Sequence, residues 1–285
     1  MNVFLGKERM MIVEGLSGRY TLGTQVAETE KYRLYLCREE STGQECLLQI
    51  ATDNQHDGTL CRSAVRLEVL KRAADALEAE YEKVRENPEM RLNYAIGFPE
   101  LIDSFPCIPQ GSRQINILAF RNVEDVRHMV PLCNITVRDH LRVDFRTSAW
   151  IMGKLLKLLV FAHSQGIAVG RLDSANILIE PKQHYVLFFD WSEAFVYPET
   201  VPTEIARQEI AQAANAVITV VGGNLETRTF PDDGDTAQDR YTDFLLQLAD
   251  GRQRDAQQAH TEFYKLVDEL WKREYYEFTT LPVHT

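Results

Sequence analysis

A chain of 285 residues, 45% hydrophobic and 26% charged, has enough apolar surface for a sizeable core, which excludes a disulfide-stapled miniature fold and wholesale disorder. At roughly 100–200 residues per domain, that length suits one large domain or two lobes. With 31 Lys and Arg against 42 Asp and Glu the net charge is −11, a field that repels nucleic acid and acidic membrane surfaces, so a nucleic-acid partner is not expected.

The N-terminal run MNVFLGKERMM lacks the apolar stretch of a leader peptide, and the most apolar helical segment, Trp150–Ala162, is interrupted by Lys154 and Lys157, so no membrane insertion is expected. The five cysteines, Cys37, Cys46, Cys61, Cys107 and Cys133, are odd in number and show no CxxC or CxxH spacing. That pattern suits the reduced thiols of a cytoplasmic protein better than a disulfide framework or zinc site.

Tyr20–Val26, Tyr32–Arg38 and Glu45–Ala51 are β-prone runs separated by polar stretches, the second holding Ser41-Thr42-Gly43, and they predict an antiparallel meander. Leu67, Leu70, Ala74, Leu77, Tyr81 and Val84 then recur at spacings of three and four, the mark of an amphipathic helix that stops at Asn87-Pro88. Two further strands are predicted at Glu100–Phe105 and Ile115–Phe120, with Pro106, Pro109 and Gly111 between them. Past Arg121 helices take over: a short one near Thr136–Leu141, and a long one from about Thr147 with Ile151, Leu155, Leu158, Leu159 and Ala162 on one side and Gly166 at its end. A hairpin follows, Asn176–Ile179 and Tyr185–Phe189. Later helices are predicted at Glu204–Val220 and Gln257–Glu277, with the acidic Gly222–Gln238 as a mobile loop. In the final helix Phe263, Leu266, Leu270 and Trp271, with Tyr275, Tyr276 and Phe278 beyond, read as core, with a docking surface for a partner as the other reading.

The segment from Ala162-His163 through Val169-Gly170-Arg171-Leu172-Asp173-Ser174-Ala175-Asn176-Ile177-Leu178, followed by Phe189-Asp190-Trp191-Ser192, resembles the catalytic loop and the Asp-Phe-Gly motif of the protein kinases. The resemblance runs from Tyr20 to about Gly223. It implies an α+β, two-lobed protein-kinase-like fold: a small antiparallel-sheet N-lobe with one main helix, and a mostly helical C-lobe. In residues this is an N-lobe over 1–121, with a five-stranded sheet and a helix at about 60–86, and a C-lobe over 122–285, together one kinase-like domain.

Matched residue by residue, the chemistry departs from that family. Counting back from Asn176, the catalytic Asp position holds Arg171, which stays protonated and cannot accept a substrate proton. Asp173, two residues on, is either a displaced base or the partner of Arg171 in an ion pair that holds the loop. In Leu47-Leu48-Gln49-Ile50-Ala51 the phosphate-binding lysine is replaced by Gln49, whose amide brings no positive charge. Glu68 on the following helix matches that lysine's usual partner, with a plain solvated helix residue as the alternative. The first turn, Val26-Ala27-Glu28-Thr29-Glu30-Lys31-Tyr32, has no glycine to bring backbone amides onto phosphate.

Asn176 and Asp190 match the family's magnesium ligands, and either bind metal and nucleotide or tie down their own loops. Trp191–Thr203 is short for an activation segment, although Tyr197-Pro198-Glu199 is similar to the Ala-Pro-Glu that closes one. The seven histidines make no HxH or HExxH pattern, and His163 reads as a packed helix-end histidine. The resemblance therefore implies a catalytically inactive pseudokinase, a scaffold or allosteric protein-binding module needing no cofactor. The alternative is an atypical nucleotide-dependent transferase that uses Asn176 and Asp190 for metal-ATP.

Overall fold

The computed structural model describes residues 11–87, 92–232, 237–272 and 275–283. The first ten residues, the helix stop at Pro88 and part of the expected loop before Gln238 lie outside them. The chain divides into two units. One runs to Glu68 and takes in Pro99–Val126; the other comprises Val69–Phe98 and the chain from Arg127.

The first unit is a sheet of β1 (Ile12–Glu14), β2 (Arg19–Glu28), β3 (Tyr32–Glu39), β4 (Glu45–Ala51), β5 (Glu100–Cys107) and β6 (Arg113–Ala119), with α1 (Asp57–Val84) entering between β4 and β5. All pairings are antiparallel, in the order β1-β2-β3-β4-β6-β5. The sheet has six strands where the sequence suggests five, because β1 is a three-residue strand with only Val13 buried, too short for an alternating pattern to register.

Period-two alternation sends Cys46, Leu48 and Ile50 of β4 to one face and Leu47, Gln49 and Ala51 to the other. The first face gathers Val13, Tyr20, Cys37, Phe105, Cys107, Ile115 and Ile117 into one core. The other meets α1, whose Leu60, Ala64 and Leu67 are buried. Burial on both faces explains why β4 and β6 are mostly apolar without a strict alternation, Gln49 and Asn116 being among the buried polar exceptions.

The two edges of the sheet meet. The amide of Ser17, in the β1–β2 turn, donates to Asp103 Oδ2 on β5 at 2.8 Å, and the buried Tyr20 hydroxyl donates to the same oxygen at 3.4 Å. Gly15 is required at this closure, since a Cβ there would fall 2.3 Å from Asp103 Oδ2. The sheet therefore curls around its apolar face.

The second unit contains the later part of α1 and then β7 (Val130–Pro131), α2 (Cys133–Val137), β8 (Leu141–Val143), α3 (Phe145–Ser164), β9 (Ile167–Ala168), β10 (Ile177–Glu180), β11 (Tyr185–Phe188), β12 (Phe195–Val196), α4 (Thr203–Val220), α5 (Gln238–Ala249), α6 (Ala256–Trp271) and β13 (Thr280–Pro282). Asp144 caps α3 by accepting from Thr147 N at 2.7 Å, and Gly166 at φ +69° follows its last turn. Between these ends α3 is buried on nearly every side, and α4 and α6 pack against it.

Two differences from the sequence-based expectation stand out. The helix α5 was not expected, although Tyr241, Leu245 and Leu248 have helical spacing and are fully buried; the polar residues between them dilute the apolar signal. The final helix ends at Trp271, six residues before the expected Glu277, where Lys272 turns to φ +60°. Phe263 is core, Leu266, Leu270 and Trp271 are half-buried, and Tyr275 is 79% exposed.

Candidate functional site

The candidate residues of the helical unit lie at the mouth of the β10–β11 hairpin. Its register pairs Ile177 with Phe188, and Phe189 N donates to Asn176 O at 3.0 Å, which continues the ladder by one step. Asn176 and Asp190 are thereby brought together. Asp190 N donates to Asn176 Oδ1 at 2.6 Å, while Asn176 Nδ2 donates to Asp190 O at 3.1 Å and to Arg171 O at 2.7 Å. One buried amide side chain thus joins the loop, the strand end and the Asp segment.

Arg171 pairs with Asp173, Nε to Oδ2, at 2.6 Å. The second carboxylate oxygen of Asp173 accepts from Ala175 N at 3.0 Å and Asn176 N at 2.9 Å. A general base needs a free lone pair aimed at the proton it removes; Asp173 Oδ1 accepts two bonds inside the loop and Oδ2 is paired with the Arg171 guanidinium, which favours the ionised, loop-holding form of the carboxylate.

The loop is also gripped from below. Glu209 of α4, only 3% exposed, accepts from Gly170 N at 2.6 Å and meets His163 Nε2 at 2.7 Å. Gly170 stands at φ +83°, where a Cβ would fall 2.3 Å from Glu193 O. Glu209 escaped sequence reasoning. Its signal was present: a lone acid on the stripe formed by Ala206, Ile210, Ala213 and Val217, where a buried carboxylate must find partners.

Asp190 is buried at 4% exposure. Its Oδ1 accepts from Ser192 N at 2.9 Å, and its Oδ2 has no hydrogen-bond partner, nor does Ser192 Oγ. Trp191 is also buried, its Nε1 donating to Phe188 O at 2.8 Å and its ring meeting Phe98 and Phe188 edge-on.

In the sheet unit, Gln49 is 2% exposed and lies directly opposite Asn116 of β6, whose Nδ2 donates to Gln49 Oε1 at 3.2 Å and to Leu60 O of α1 at 3.0 Å. Asn116 Oδ1 accepts from Ser104 Oγ at 2.8 Å, and that hydroxyl accepts from Gln114 Nε2 at 2.8 Å. A polar row therefore crosses β4, β6 and β5 beneath the start of α1. Glu68 is half-buried on α1, about 12 Å further along the helix axis than the carbonyl of Leu60.

The glycine-free turn is a closed hairpin. Thr29 N donates to Tyr32 O at 2.8 Å, and Thr29 Oγ1 accepts from Lys31 N at 3.2 Å and Tyr32 N at 3.0 Å. Backbone amides that face an anion in a phosphate loop are here satisfied by a threonine. Hydrogen bonds from Gln25 and Arg33 hold the Glu28 carboxyl below its ordinary pKa, and the Arg33 pair measures 3.0 Å.

All five cysteines are free of disulfides. Among the described residues no three His, Cys, Asp or Glu side chains converge on a metal site, and no helix is long and apolar enough to cross a membrane.

No protein-family model and no curated protein matches this sequence. Among solved structures, the chain is similar to vaccinia related kinase 3, with a TM-score of 0.61 and 14% identity over 93% of this chain and 92% of that one. It is similar also to the BubR1 kinase domain, with a TM-score of 0.56 and 11% identity over 91% and 83% of the two chains. The fold is α+β and protein-kinase-like.

Proposed function

We propose that this chain is a catalytically inactive kinase-like protein, a pseudokinase, serving as a scaffold or allosteric protein-binding module in the cytoplasm. In this reading residues 1–121 and 122–285 are the two lobes of one kinase-like domain. The observation that carries the reading is the Arg171–Asp173 pair at 2.6 Å. It sets a permanent cation where the family has its base and pairs it with the carboxylate of Asp173. The amide of Gln49 held by Asn116, and the Thr29-satisfied turn, support it from elements distant in sequence. The partner is a protein rather than nucleic acid, in keeping with a net charge of −11.

One observation favours the alternative, an atypical nucleotide-dependent transferase: Asp190 Oδ2 is buried and unpartnered. The bonds of Asn176 weigh against that alternative. Asn176 Oδ1 already accepts from Asp190 N at 2.6 Å and its amide holds Arg171 O and Asp190 O, so one of the oxygens a magnesium octahedron would use is committed to the loop.

The test is a thermal-shift titration with ATP and magnesium. No stabilisation is expected. A magnesium-dependent gain of about 2.7 kcal/mol at a hundredfold excess over Kd, abolished by Asp190→Ala, would overturn the reading in favour of the transferase.

A further inference from the structure

We propose that the helical unit holds a second site, a cleft of about 320 Å³ bordered by α3, α6 and the β10–β11 turn, which takes a flat aromatic molecule bearing one negative charge. Its volume falls in the range of small-molecule pockets. One wall is a row of three rings: Trp150 lies 4.8 Å from His184, and His184 stacks on Tyr275 at 5.0 Å with 7° between the planes. Phe263 and Trp271 of α6 supply further aromatic surface.

Gly153 lies on the cleft's α3 side. Glycine is disfavoured in a helix interior, yet here it faces α6, where a Cβ would sit 3.3 Å from Phe263 Cε1 and 3.4 Å from the Tyr264 hydroxyl. The bare backbone of α3 at this point lets Phe263 and Tyr264 of α6 approach closely and forms part of the cleft's floor.

Charge selects the ligand's sign. Among the described residues lining the cleft, Arg146 and Lys272 are cationic and none is acidic, in a chain whose net charge is −11, while burial lowers the pKa of His184 and favours its neutral ring. Arg146 is fixed in place, donating to Trp271 O at 3.3 Å with its guanidinium 4.5 Å from the centre of the Tyr276 ring. His184 Nε2 is buried without a hydrogen-bond partner, and the residue is held at φ +59°. The nearby carboxylate of Asp144 is engaged by Thr147 N and the Tyr276 hydroxyl. An aromatic cage backed by acids would take a cation; this one is backed by Arg146 and Lys272.

The test titrates the full chain with 1-naphthoate, 1-naphthalenemethanol and 1-naphthylmethylammonium, followed by tryptophan fluorescence, since Trp150 and Trp271 line the cleft. Saturable naphthoate binding is expected with Kd of about 100 μM, and binding at least about tenfold weaker for the alcohol and the ammonium. Gly153→Leu fills the cleft and abolishes binding; His184→Ala weakens it about tenfold. The proposal is overturned by no saturation up to about 1 mM, by ammonium binding as tight as naphthoate, or by unchanged naphthoate affinity in His184→Ala. If Gly153→Leu does not fold, His184→Ala, checked for an unchanged melting midpoint, decides.

Discussion

Asn176 and Asp190 bind each other in both directions, Asp190 N to Asn176 Oδ1 at 2.6 Å and Asn176 Nδ2 to Asp190 O at 3.1 Å. Together with the bond to Arg171 O, this gives the amide a structural task that needs no ligand. Asn176→Ala is therefore expected to cost about 2–4 kcal/mol, because it strands buried backbone groups rather than merely removing a contact. Urea unfolding measures it. A loss within about 0.5 kcal/mol would mean that the amide is held for something other than its loop.

Arg171→Asp puts a carboxylate back at the base position but leaves Gln49 and the Thr29 turn as they are. No phosphotransfer is expected from this variant with ATP, magnesium and a general protein substrate, measured by transfer of radiolabelled phosphate. Activity would show that the base alone was missing, and that Gln49 and the turn are not independent losses.

Gln49→Lys, the other apparent restoration, is expected to destabilise the sheet unit by several kcal/mol. The position is 2% exposed, and Asn116 Nδ2, a donor, points at it from 3.2 Å. An ammonium there would face another donor and lose its hydration. Thermal melting of the variant, alone and combined with Asn116→Asp, distinguishes electrostatics from packing: the added carboxylate restores stability only if the unpaired charge is the cause.

The kinase-like order of elements was legible because strands and helices here carry clean periods, as in α4, expected at Glu204–Val220 and found at Thr203–Val220. The replacements at Arg171 and Gln49 were legible as identities, since a residue's charge is a property of the sequence alone. Their consequences were not. That Asn116 takes up Gln49 depends on β6 lying between β4 and β5, a pairing of residues 67 apart. The grip of Glu209 on Gly170 spans 39 residues, and the closure of the sheet by Ser17 and Asp103 spans 86. Local periodicity carries no information about such partners, and only the buried polar residues hint that partners exist.

Thr29→Val keeps shape and removes the hydroxyl that satisfies Lys31 N and Tyr32 N. A cost of about 1–2 kcal/mol is expected: the bond from Lys31 N is exposed and water replaces it, whereas Tyr32 is buried and its amide is compensated only in part. Amide hydrogen exchange is the direct readout: protection at Lys31 and Tyr32 should fall while that of β4 stays unchanged. Equal loss across the sheet would mean that the turn is not locally closed.

Cys37 and Cys46 face each other across β3 and β4, both buried in the sheet's apolar core. Burial raises both thiols, Cys46 from 9.0 to about 11 with help from Glu39, and Cys37 higher still with Cys46 adding to the effect. A group whose folded pKa is raised gives stability that is complete below its unfolded value and is lost as pH rises towards the folded one. Stability should thus be level up to about pH 8 and fall between about pH 9 and 11, at roughly 1.4 kcal/mol per pH unit for each proton the unfolded chain has released and the native one keeps. Urea midpoints taken through this range measure the fall. In the Cys37→Ala/Cys46→Ala variant the curve starts lower, from lost packing, and declines less steeply; the remaining slope comes from tyrosines such as Tyr20, which burial and Asp103 also raise. Parallel curves for parent and variant would show that the thiols ionise as readily in the folded sheet as outside it.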